Sequence, residues 1–145
     1  MTMRQLHSVE EIREVLQRYD DSATRKLTDR VESLEVFAEK LFRYAENYVM
    51  VQHNTELGFI SFYANDMVNR RAYLTVIAVD ARYQKKGIGS RALQFMLDEC
   101  RARQMATIRL EVDTMNDNAI GFYQMHGFSI VEEASDVSVI MEREV

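Results

Sequence analysis

Residues 72–79 read AYLTVIAV, eight positions in a row without a charged side chain. Rich in β-branched and aromatic types, the run predicts a strand. A half-exposed strand alternates apolar and polar, because successive side chains point to opposite faces. This one is apolar at nearly every position, so both of its faces must be covered. The fold therefore needs layers on both sides of a sheet. QKKGIG (84–89) interrupts the run, and Ala92, Leu93, Met96, Leu97 and Cys100 then recur at helical spacing over 89–104. TIRLEV (107–112) returns to strand texture. A strand–helix–strand unit over 72–112 predicts a parallel pair with a right-handed crossover.

The remaining punctuation is sparse, with no proline and only five glycines in 145 residues. Ser8 and Glu11 have capping-box spacing. Val9, Ile12, Val15, Leu16 and Tyr19 follow as a helical stripe that Asp20-Asp21-Ser22 breaks. Residues 23–33 read as a polar loop or turn, and 34–46 as a second amphipathic helix. Residues 48–53 and 57–64 read as a hairpin turning at Asn54-Thr55. A short helix over 118–126 ends at Gly127, a left-handed stop. Residues 128–132 and 137–141 make a last strand pair. A first strand has MRQL (3–6) as its candidate. The expected architecture is a single α/β (α+β) domain over 1–145, with a mixed, mostly antiparallel sheet, one parallel pair and helices on both faces.

Composition narrows the function classes. The chain is 47% hydrophobic and 28% charged, a globular balance. A net charge of −5 without a basic arm argues against nucleic acid as a partner. No stretch has the length and apolarity of a membrane span, and the first sixteen residues lack a signal core. The single cysteine, Cys100, permits no internal disulfide, so a cytoplasmic, reducing location is expected. His7, His53 and His126 show no metal-ligand spacing, so no metal is expected. Cys100 lies on the apolar helix face and reads as a core thiol, and His126 as a residue at a helix C-terminus.

The glycine turn carries the chemistry. A helix N-terminus bares backbone N–H groups at the positive end of its dipole, a natural anion site. Gly87 and Gly89 remove side chains that would hold an anion off. Arg82, Lys85 and Lys86 add positive charge in an acidic chain, and Gln84 can donate a further hydrogen bond. The turn fits a phosphate or pyrophosphate. It is not a P-loop, which would end Gly-Lys-Ser/Thr, nor the three-glycine dinucleotide fingerprint.

At this point the chain resembles a family. Residues 76–79, the stretch 83–89 and Ala92-Leu93 are similar to the acyl-CoA-binding segment of the GNAT superfamily of N-acetyltransferases. Leu110-Glu111-Val112, Asn116, Asn118-Ala119, Phe122-Tyr123 and Gly127-Phe128 resemble its downstream segment. The resemblance covers the chain from about residue 48 onward. It implies acetyl-CoA as co-substrate, held in a notch where the strands 72–79 and 107–112 splay apart. It implies that backbone groups of Ile77, Ala78 and Val79 meet the pantetheine arm. Gln84, Lys85, Lys86, Gly87, Ile88, Gly89 and Ser90 would surround the pyrophosphate, and Asn116, Asn118 and Tyr123 would flank the arm.

By the same resemblance Tyr123 is the acid for the departing thiolate, and a backbone N–H near Val79 receives the developing oxyanion. Glu111 is the candidate base, with Asp113 a weaker one; Tyr73 and Thr75 could instead organise a water. Three bland alternatives stand beside these roles: Glu111 as an ion pair with Arg109, Tyr123 as core packing, and Asn118 as the helix cap with Asn116 a loop residue. The expected function is acetyl transfer to a small-molecule amine, an amino sugar among the candidates. Arg25, Lys26, Arg30 and Arg43, or aromatics such as Phe37, Phe42 and Tyr44, are candidates to hold it. A protein or peptide amine, an O-acetyl acceptor or a non-catalytic acyl-CoA-binding module are the alternatives. Exposed strand edges over 128–141 make a homodimer conceivable.

Overall fold

The computed structural model describes residues 1–20 and 33–145. Among the described residues the order is β1 (Thr2–Gln5), α1 (Val9–Arg18), α2 (Leu34–Tyr44), β2 (Glu46–Gln52), β3 (Thr55–Asp66), β4 (Arg71–Val79), α3 (Ile88–Ala102), β5 (Thr107–Asp113), α4 (Asp117–Met125), β6 (Ser129–Glu133) and β7 (Ser138–Glu144). The seven strands form one sheet in the order β1-β2-β3-β4-β5-β7-β6. Only β4 and β5 run parallel; every other neighbouring pair is antiparallel. The expected mixed, mostly antiparallel sheet with one parallel pair and helices on both faces is present, and the first strand falls one residue ahead of its candidate. Arg25, Lys26 and Arg30, and the loop expected over 23–33 apart from Ser33, lie outside the described residues.

Both faces of β4 are covered, as its composition demands. Val76 and Ala78 join α1 and α2 in one buried cluster with Ile12, Leu16, Phe37, Leu41 and Phe59. Leu74 and Ile77 join α3 in another with Ile60, Leu93, Met96, Ile108 and Leu110. Fully burying each such aliphatic side chain stabilises by about 1.5–3 kcal/mol. Cys100 is wholly buried in the second cluster, and burial pushes its thiol up to about 11. That suits a packing residue and not a nucleophile.

Local signals set the helix ends. Ser8 Oγ accepts the Glu11 N–H at 3.1 Å, and Glu11 Oε1 reaches back to the His7 N–H at 3.3 Å, one residue earlier than a standard box. Gly127 has φ +86°. The Phe128 N–H bonds the Tyr123 carbonyl at 3.0 Å, and the Gly127 N–H bonds Gln124 at 3.1 Å. This is a Schellman stop. Its apolar contact is the edge-on packing of Tyr123 and Phe128, ring centroids 5.7 Å apart. The motif that ends α4 thus also fixes Tyr123.

Candidate active site

The parallel ladder is short. Arg71 to Leu74 pair with Thr107 to Leu110, and the pairing stops there. β4 continues five residues to Val79, still paired with β3, while β5 continues to Asp113, paired with β7. The two strands therefore diverge into a notch. The Asp80 N–H donates to the Leu57 carbonyl at 2.8 Å, on the β3 side. Backbone groups alternate sides along a strand, so Ile77 and Val79 turn theirs toward the notch. Of the three residues expected to meet an extended ligand arm, Ala78 turns its backbone groups to β3 instead, opposite Phe59, because alternate residues of β4 face opposite neighbours.

At the mouth of the notch stands the glycine turn. A single 3-10 turn (Ala81–Tyr83) leads into it, with the Asp80 carboxylate accepting from the Arg82 N–H. Lys85 has φ +64° and Gly87 φ +79°. Gly87 is the cap residue of α3, and no side chain bonds the first-turn N–H groups. A Cβ on Gly87 would meet nothing within 4 Å, so the turn is open on that side. A Cβ on Gly89 would lie 3.4 Å from the Phe122 ring, which packs α4 against the start of α3. Ser90 Oγ and His126 Nε2, 2.9 Å apart, make a second link between these helices.

Two side chains near the turn are engaged differently from expectation. Arg82 donates Nε and Nη2 to Asp80 at 3.0 and 3.1 Å, which holds that carboxyl below its ordinary range. Its charge is matched locally, leaving Lys85 and Lys86, both exposed, as the turn's cationic groups. Gln84 Nε2 donates to the Val79 carbonyl at 3.1 Å, closing the turn on the end of β4.

On the far side of the notch, Asn116 caps α4: its Oδ1 accepts the Ala119 N–H at 3.1 Å. This corrects the assignment from sequence, which gave the cap to Asn118. Asn118 lies exposed in the first turn, because the helix starts one residue early, at Asp117. Tyr123 is 2% exposed and packs edge-on against Phe122 and Phe128.

β5 alternates cleanly: Ile108, Leu110 and Val112 are buried, while Arg109, Glu111 and Asp113 are half-buried on the opposite face. Arg109 donates to Glu142 at 3.2 Å and to Glu132 at 2.9 Å. Glu111 Oε2 accepts the Ser138 hydroxyl at 2.7 Å. The ion pair expected for Arg109 thus goes to β6 and β7. Ser138 was not singled out in the sequence, since a serine between two valines carries no local signal. Among the aromatic acceptor candidates, Phe37 is buried, which makes it core, while Phe42 and Tyr44 are exposed. Asp66 closes its own turn through the Val68 and Asn69 N–H groups.

Among the described residues no group of three His, Cys, Asp or Glu side chains could hold a metal, and no helix is long and apolar enough to cross a membrane. The arrangement suits an extended ligand with an anionic head. An open helix N-terminus can receive such a head, and a freed strand edge can pair with such an arm.

The family model described as Acetyltransferase (GNAT) family matches residues 9–128. The [ribosomal protein bS18]-alanine N-acetyltransferase of Escherichia coli K12 is 35% identical over 95 residues, 64% of each chain. The match thus spans just under two thirds of that relative's length. The crystal structure of the ribosomal-protein-S18-alanine N-acetyltransferase from E. coli superposes with a TM-score of 0.76 at 25% identity, covering 99% of this chain and 93% of that one. Ard1 from Thermoplasma volcanium gives 0.75 at 27% identity, covering 99% and 97%. With the glycine turn, the splayed strands and a family match over 9–128, the chain belongs to the GNAT acetyltransferase family.

Proposed function

We propose that this protein is an N-acetyltransferase that moves an acetyl group from acetyl-CoA directly to a primary amine, and that the amine is the N-terminus of a peptide. One observation carries the transferase reading: the β4–β5 ladder ends beside a helix N-terminus capped by a left-handed glycine. The bared N–H groups of α3 suit a diphosphate, and the freed edge of β4 suits an amide-bearing arm. The acceptor reading is supported by the name of the E. coli relative, which specifies a protein alanine.

In the proposed step the neutral amine attacks the thioester carbonyl and a C–N bond forms. The oxyanion draws on a backbone N–H near Val79. The C–S bond then breaks, the thiolate takes a proton from the Tyr123 phenol, and the amine's proton passes to Glu111; Glu111 then releases that proton and the Tyr123 phenolate regains one from solvent, which restores both groups.

The test is release of CoA thiol by the purified protein with acetyl-CoA and a panel of acceptors. The panel holds short peptides beginning with alanine, serine or methionine, and small amines including an amino sugar. Peptide turnover is expected. Turnover of the amino sugar alone would move the acceptor to the small-molecule class and leave the transferase standing. Tight CoA binding without turnover of any acceptor would leave only an acyl-CoA-binding module.

A further inference from the structure

Ser138 is wholly buried, although the next residues on its face of β7, Ile140 and Glu142, are only half-buried. Packing alone asks for no hydroxyl there. Its single hydroxyl hydrogen goes to Glu111 Oε2 at 2.7 Å. Ser135 Oγ lies 2.9 Å from Ser138 Oγ, and with that hydrogen already committed, Ser135 must be the donor. Ser135 Oγ in turn accepts the Val137 N–H at 3.2 Å. The result is a directed chain, from Val137 N–H through two hydroxyls to the carboxylate. The chain is mounted on a tight turn, because the Ser138 carbonyl accepts the N–H groups of both Ala134 and Ser135 at 3.0 and 3.2 Å. The register fixes its aim: Asp113 lies opposite Ser138 and Glu111 opposite Ile140 on the paired strand.

We propose that Ser138, backed by Ser135, is a positioning residue that holds the Glu111 carboxylate in the geometry for taking the acceptor's proton. The inference rests on the reading of Glu111 as the base. A glutamate has three side-chain torsions, and an ångström of misplacement of a reacting group costs about a hundredfold in rate at worst. A buried hydroxyl fixed by its own hairpin removes most of that freedom. Glu111 shares its sheet face with Arg109, Asp113 and Glu142, and Arg109 is committed to Glu132 and Glu142.

The experiment measures kcat and KM with the fastest acceptor of the panel above, in S138A, S138T, S135A, E111Q, S138A/E111Q and S135A/E111Q. S138A is expected to lower kcat about tenfold with KM for acetyl-CoA within about twofold. The loss should vanish in the E111Q background, since two groups acting as one unit are not additive. S138T, which keeps the hydroxyl, should restore most of the rate. Ser135 is exposed, so S135A reads the same chain without burdening the core; a fall of about two- to threefold that also vanishes in E111Q is expected. Parental kcat in S138A, or an equal loss with and without Glu111, overturns the inference. If S138A fails to fold, parental kcat in S135A overturns it. E111Q at the parental rate, or no turnover of any acceptor, removes the base reading and this inference with it. An impaired E111Q beside an unimpaired S138A removes the inference alone.

Discussion

Two helices begin where the two parallel strands end, and they begin differently. α3 follows β4 with Gly87 at its cap, left-handed, and no side chain on its first-turn N–H groups. α4 follows β5 with Asn116 at its cap, and Asn116 Oδ1 takes the Ala119 N–H itself. Both N-termini present the positive end of a dipole. The first leaves its donors available to an outside anion, while the second uses its own side chain on one of them. Under the proposed function the difference separates two jobs across one notch: the open junction is left to bind, and the closed junction holds α4 steady, with Tyr123 locked by the Schellman stop at its other end. Residue choice at a single cap position is enough to assign a helix N-terminus to either job.

The sharpest way to break this comparison is Gly87→Glu. At φ +79° a side chain costs about 1–2 kcal/mol, and a carboxylate there would repel a diphosphate. Losing two charge-assisted hydrogen bonds, at about 1.5–3 kcal/mol each, predicts CoA affinity down about a thousandfold by calorimetry. Binding as tight as the parent's would mean that the open junction is not the anion site. Next in size is Tyr123→Phe. If α4 supplies chemistry and not affinity, kcat should fall about a hundredfold while the dissociation constant for CoA stays within about twofold. A loss confined to affinity would reverse the division.

Asn116→Ala should then cost about 1 kcal/mol in urea unfolding, the usual value of a helix cap. Its effect on CoA binding should be far below that of Gly87→Glu; an equal effect would make both junctions ligand sites. The smallest change belongs to Asn118→Ala, an exposed first-turn residue expected to move stability by no more than about 0.5 kcal/mol. A larger loss would return the cap to Asn118 and shift the start of α4.

Much of this was legible beforehand. AYLTVIAV announced a strand with two covered faces, and both buried clusters draw on it. Gly127 announced its left-handed stop. The cap of α4 was misread because Asn116 and Asn118 both have the right side chain, two residues apart, and only the hydrogen bond to Ala119 separates them. Arg109 and Glu111 look like a pair because they alternate onto one face of β5. The neighbouring strands offered Arg109 two other carboxylates, and sequence does not show which strands are neighbours.

What the sequence determined by itself is local: periodicity that separates strand from helix, a glycine turn between strand and helix at 84–89, and a left-handed stop at Gly127. These follow from the conformational preferences of a few adjacent residues. The tertiary structure decided the rest. It ended the β4–β5 ladder after Leu74 and Leu110, and brought Ser138 to Glu111 across 27 residues of chain. Those outcomes depend on the register of strands far apart in sequence, which the shared packing of the whole sheet sets and no short stretch encodes.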